Sequence, residues 1–205
     1  KVMADGGEKG DFYQGELDKI KDFSDKVRSG QIKGSTGKEF KTVVQIGIGG
    51  SDLGPRALCY AMNLIGPQDG CDKKLEARFI SNVDPDDACA VISGLDLEST
   101  LFILVSKSGT TQETLANRDL VFKVMENSKI AGLKPQKHLV AVTSNTSPLA
   151  NNPEILASFF MDDYIGGRYS ATSPVGGVIL SLTYGFNVFR QLLDGAHAID
   201  KAALK

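Results

Sequence analysis

Six consecutive residues, Ser106, Lys107, Ser108, Gly109, Thr110 and Thr111, bring four hydroxyls, one ammonium and a glycine into a single short stretch. Hydroxyls and an ammonium suit an oxyanion. If such a loop also opens a helix, the free N–H groups of the first turn and the positive end of the dipole favour a phosphate at the same place. The plainer alternative is an ordinary Ser/Thr-rich turn, for which a single capping hydroxyl would suffice. Two further stretches suit the same chemistry. In Gly47-Ile48-Gly49-Gly50-Ser51-Asp52, the glycines let backbone approach a ligand closely, or serve only tight packing of helix on strand. In Gly166-Gly167-Arg168, a glycine turn carries a guanidinium, which binds phosphate or a developing oxyanion in bidentate fashion. Most arginines on a surface are merely solvated, so this one depends on its setting.

Other familiar sites fit poorly. The first glycine stretch has Asp52 at the sixth position of a dinucleotide fingerprint, and no acidic residue closes the next strand about 20 positions on. No Gly-Lys-Ser/Thr follows it, so it is not a Walker loop either. His138 and His197 have no carboxylate, cysteine or second histidine spaced for a metal site or a triad, and both read as structural. Lys73 with Lys74 reads as solvated charge, and the Asp84, Asp86, Asp87 group as a helix cap.

Elements must position these loops. Residues 101–105 (LFILV) form a continuous apolar run of the kind buried in a parallel sheet. Thr110 and Glu113 have the spacing of a capping box, and Ala116, Leu120, Val121, Val124 and Met125 share a helical face beyond them. Residues 42–46 (TVVQI) predict a strand before the glycine loop, and positions 57, 58, 61, 62 and 65 a helix after it. Further strands are predicted at 77–81, 138–143 and 158–161, with helices near 88–92, just after 144–147, at 178–189 and from 192 onward. Residues 1–14 read as a loop or loose arm, and a helix follows from Gly15 until Gly30 ends it. Strands alternating with helices predict an α/β fold with a five-stranded parallel sheet of flavodoxin-like order 2-1-3-4-5, covered on both faces. In that order strands 1 and 3 are neighbours, so their loops open onto one crevice.

Length suits one full domain, here 42–205 with a lead-in arm and helix over 1–41. Lys and Arg number 23 against 25 Asp and Glu, with no basic block, which argues against a nucleic-acid surface. Cys59, Cys71 and Cys89 have neither disulfide nor zinc spacing. No membrane span or signal peptide is recognisable. The expectation is a soluble protein of the reducing cytoplasm. The chain opens on Lys and closes in the helix-like AHAIDKAALK, which predicts a piece of something longer.

Four stretches together, IGIGGSDLGP (46–55), SKSGTTQET (106–114), DYIGGRYSATSPVG (163–176) and LLDGAHAID (192–200), closely resemble the phosphoglucose isomerase family. The resemblance implies a sugar-isomerase (SIS) domain and an aldose–ketose isomerase of glycolysis and gluconeogenesis. Its substrates would be glucose 6-phosphate and fructose 6-phosphate, interconverted by ring opening and a cis-enediol without metal or organic cofactor. It implies that Gly50 and Ser51 touch the sugar, that residues 106–111 bind the 6-phosphate, and that Arg168 stabilises charge in catalysis. A homodimer is implied for the full-length enzyme. Family members are more than twice as long, and their glutamate base, ring-opening histidine and a further lysine lie in a second half with no counterpart here. The chain then carries phosphate contacts and an arginine but no base, and the alternative reading is a non-catalytic module that binds sugar phosphates.

Overall fold

The computed structural model describes residues 2–4, 6–65, 72–150 and 152–204. Cys71, Lys205 and the side chain of Ile65 lie outside the described residues. The chain begins with a small hairpin of β1 (Met3–Ala4) and β2 (Gly7–Glu8), then α1 (Gly10–Arg28). The arm is therefore more ordered than its composition suggests, and the helix starts before Gly15, which is exposed. Lys9, Tyr13 and Glu16 make long-range contacts that outweigh the roughly 1 kcal/mol cost of a mid-helix glycine.

Next come β3 (Thr42–Ile46), α2 (Gly50–Ile65), β4 (Glu76–Ile80), α3 (Pro85–Ile92), β5 (Thr100–Val105) and α4 (Gln112–Asn127). Then follow β6 (Leu139–Thr143), β7 (Ala157–Phe160), α5 (Pro174–Tyr184) and α6 (Phe186–Ala203). Strands β3 to β7 form one parallel sheet in the order β4-β3-β5-β6-β7, the expected 2-1-3-4-5. Alternate residues of β5 supply its two faces. Leu101, Ile103 and Val105 pack with α1, α2 and α5, while Phe102 and Leu104 pack with α3 and α4. Ile20, Phe23 and Val27 of α1 belong to the first of these cores.

Two helix expectations are corrected. After β6 there are turns instead of a helix, because Ser144 Oγ accepts from Thr146 N and Ser147 Oγ from Leu149 N, competing with the helical ladder. The apolar run over 178–189 is cut at Gly185, whose φ of +95° ends α5 and lets α6 start at a new angle. Among the described residues no helix is long and apolar enough to cross a membrane.

Candidate active site

The loop after β5 is shaped by its neighbours on the sheet. Ser106 N donates to Val142 O at 3.1 Å, and Ser106 O accepts from Thr143 Oγ1 at 2.7 Å. Gly109 closes the turn with φ +69°, and a Cβ there would stand 2.1 Å from Ser147 Oγ, so a side chain would be strained and would have to displace that hydroxyl. Ser108 Oγ accepts from Thr110 N and Thr110 Oγ1. Ser106 Oγ donates to Thr111 Oγ1 at 3.1 Å. The capping box expected from Thr110 and Glu113 does not form. Thr111 is the N-cap, and it makes no side-chain cap bond. With α4 starting at Gln112, the third helical residue is Thr114, one place beyond Glu113. The N–H groups of Gln112, Glu113 and Thr114 thus have no partner within the helix and stand beside the loop hydroxyls.

In the loop after β3, Gly49 has φ +58°, and Gly50 and Ser51 are the first two residues of α2. Gln45 Nε2 donates to Ser51 O at 2.8 Å and steadies this turn from inside the sheet. Asp52 is buried. Its carboxylate pairs with Arg56 at 2.7 Å, while Oδ1 has no hydrogen-bond partner among the described residues. Burial pushes its pKa up against the pull of Arg56. The residue that spoils the dinucleotide pattern is thus a buried member of the helix start.

The third loop joins the other two. A Cβ on Gly50 would lie 2.3 Å from the carbonyl carbon of Gly167 and 2.7 Å from Arg168 N, so the absent side chain is what admits the arginine turn. Ser170 Oγ donates to Gly167 O at 2.6 Å within the 3-10 turn Gly167–Thr172. Lys107 points its ammonium at two backbone carbonyls, Asp163 O at 2.6 Å and Ile165 O at 3.2 Å. It ties the second loop to the third. On the sequence Lys107 reads as an anion donor, and no local signal shows these carbonyls 56 and 58 positions away. Arg168 is exposed, with its guanidinium 4.8 Å from the centre of the Tyr169 ring, and no carboxylate pairs with it among the described residues. The structure therefore brings Gly50, Ser51 and Arg168 together, with Lys107 linking residues 106–111 to the arginine loop. Such an arrangement can hold a dianion at one end and a developing oxyanion at the other.

The histidines stand apart. His138 is fully buried, with Nδ1 on Thr100 O at 2.9 Å and Nε2 accepting from Ser35 N at 3.0 Å. Burial depresses its pKa and keeps the ring neutral. His197 is exposed on α6.

A sequence profile described as phosphoglucose isomerase matches residues 1–205. The glucose-6-phosphate isomerase of Treponema denticola is 57% identical over 193 residues, covering 94% of this chain and 35% of that protein. That of Chlamydia caviae is 46% identical over 190 residues, or 93% of this chain and 33% of that one. Among solved structures, a glucose-6-phosphate isomerase from Chlamydia trachomatis superposes with a TM-score of 0.84 at 40% identity, over 100% of this chain and 37% of its own. Tagatose-6-phosphate ketose/aldose isomerase from Escherichia coli, 13% identical with a TM-score of 0.52 over 93% of this chain and 50% of its own, shares the fold. The chain spans about a third of the length of the curated relatives it matches.

Proposed function

The chain belongs to the phosphoglucose isomerase family, and from that membership we propose that it forms the phosphate-and-arginine part of an aldose–ketose isomerase acting on glucose 6-phosphate and fructose 6-phosphate. In this reading residues 42–205 are its SIS domain and residues 1–41 a lead-in. The 6-phosphate sits on Ser106, Ser108, Thr110 and Thr111 and on the free N–H groups that open α4, where the dipole favours a dianion. Lys107 adds positive charge nearby while its ammonium holds the third loop. The sugar lies against Ser51 and the backbone of Gly50.

A base supplied from outside this chain removes the proton from the carbon beside the open-chain carbonyl, leaving a cis-enediolate, and returns it to the neighbouring carbon. Arg168 stands where the oxygen charge grows, and it stabilises that charge more than it does the neutral sugar. Phosphate binding far from the reacting carbons supplies orientation. The observation that supports this reading is the contact of Gly50 with Gly167 and Arg168, which brings the backbone of an arginine that has no carboxylate partner among the described residues onto the start of α2.

A second reading, a non-catalytic module binding the same sugar phosphates, is favoured by one observation: both ring nitrogens of His138 are already engaged, so it offers no base. Calorimetry with fructose 6-phosphate, fructose and NAD tests the binding common to both readings. Only the sugar phosphate should bind, and equal binding of fructose or a preference for NAD would refute it. A coupled isomerase assay then separates the two: this chain alone should turn over negligibly, and the family's full-length protein should be active. Near-normal turnover by this chain would overturn the assignment of the base to residues outside it.

A further inference from the structure

Packing alone does not fix the loop that carries Arg168. Beside Tyr164, Ile165 and Gly166 lies an apolar groove of about 500 Å³, walled by Leu17, Ile20, Phe189 and Leu193. A loop over such space can sink into it unless polar ties hold its ends. One end is held by Gly167 against Gly50, and the middle by Lys107 on two carbonyls. The other end is Asp162, only five residues before Gly167.

Asp162 is gripped by residues distant in sequence. Its Oδ1 accepts from the Lys9 ammonium at 2.8 Å, and its Oδ2 accepts from Tyr13 at 2.9 Å and from Tyr164 at 2.7 Å. The two phenol hydroxyls also meet each other. Along the same helix Glu16 Oε2 accepts from Phe160 N, and Lys19 lies over the Phe160 ring. The contact from α1 thus runs along the end of β7 and onto the loop.

We propose that Lys9 and Tyr13, acting with Tyr164 through the Asp162 carboxylate, are positioning residues that hold the 162–167 loop above its groove so that Arg168 faces the crevice. The proposal rests on the oxyanion role given to Arg168 above. Burial alone would raise the Asp162 pKa, but hydrogen bonds from Lys9, Tyr164 and Tyr13 outweigh it and hold the carboxyl below its usual range. Burial and the hydrogen bonds with Tyr164 and Asp162 push the Tyr13 phenol up. Asp162 therefore stays a carboxylate and Tyr13 a phenol through neutral pH, and their contacts act as a fixed strut.

The test compares two probes by calorimetry: arabinonate 5-phosphate, with a carboxylate where enediolate charge would build, and arabinitol 5-phosphate, which has only the phosphate. The unmodified chain should prefer the aldonate by about tenfold or more, the worth of one charge-assisted pairing. Asp162→Asn, and separately Tyr13→Phe with Tyr164→Phe, should reduce that preference to within about threefold while arabinitol phosphate binds within about twofold of normal. If Asp162→Asn fails to fold, the phenylalanine pair, which keeps both rings, carries the test. Equal weakening of both probes with a lowered melting temperature would reduce the cluster to a structural tie and overturn the proposal. A preference that survives in these variants but vanishes in Arg168→Ala would also overturn it, leaving the Arg168 reading intact. No preference in the unmodified chain would remove both.

Discussion

The loop at residues 106–111 and the loop at residues 162–168 carry the two ends of the proposed site, yet they are held in opposite ways. The first leaves a strand whose six residues are all buried, enters a helix within seven positions, and takes its shape from the adjoining β6. The second leaves an edge strand and overlies an apolar groove. It is tied by Asp162 to α1, by Lys107 to the phosphate loop and by Gly167 to Gly50. Groups that bind a preformed dianion can be fixed by local backbone. In the proposed site the arginine assigned to charge that appears only during reaction is instead on a loop held by several distant parts at once, so its position depends on the whole fold.

The sharpest division between the two loops should appear in kinetics of the full-length protein. Arg168→Ala is expected to lower kcat by about 10²- to 10³-fold with KM changed only a few-fold, the size of effect seen when one oxyanion contact is lost. Lysine at that position should rescue poorly, because it keeps the charge but lacks the planar fork. A large rise in KM with kcat preserved would show that the arginine grips substrate and transition state alike, and the contrast would collapse.

At the other loop the loss should fall on affinity. Ser106→Ala with Thr111→Ala is expected to weaken fructose 6-phosphate binding by about 1.5 to 3 kcal/mol per charged hydrogen bond lost, with the circular dichroism unchanged. Unchanged affinity in calorimetry would remove the phosphate role.

Gly50→Ala touches the seam between the two. Its methyl would stand 2.3 Å from backbone that cannot rotate away. A destabilisation of about 1 to 3 kcal/mol in urea unfolding is expected, together with a fall in kcat larger than the loss of phosphate affinity. If stability and both functions stay normal, the loops are less tightly joined than the contact implies.

The smallest effect concerns His138, which accepts a hydrogen bond from Ser35 of the lead-in. His138 is held neutral below its ordinary value of 6.5, so as pH falls the unfolded chain takes up the proton first. Stability should be full above pH 6.5 and decline below it toward the depressed native pKa, by at most about 1.4 kcal/mol per pH unit. His138→Gln should flatten this slope in unfolding curves at pH 5 to 7. An unchanged slope would place the titration elsewhere.

Sequence alone determined the sheet and its order, because buried parallel strands are largely apolar and each needs a connection that crosses back, which is a helix after β3, β4 and β5 and a run of turns after β6. LFILV and TVVQI satisfy that condition, the first outright and the second apart from Thr42 and Gln45. It also determined which loops hold donors, since hydroxyls, glycines and one arginine beside strand ends are local facts. Some residues stayed hidden for an equally physical reason. Lys107 reads as an anion donor, and its ammonium also reaches carbonyls beyond two strands; Gly50 reads as a backbone approach to a ligand or as tight packing of helix on strand, and Gly167 stands where its side chain would be. Lys9 and Tyr13 sit in an arm with no periodicity, and Asp162 is 149 positions from Tyr13. Contacts at such separations leave no pattern along the chain, so only the tertiary structure could decide how Arg168 is held.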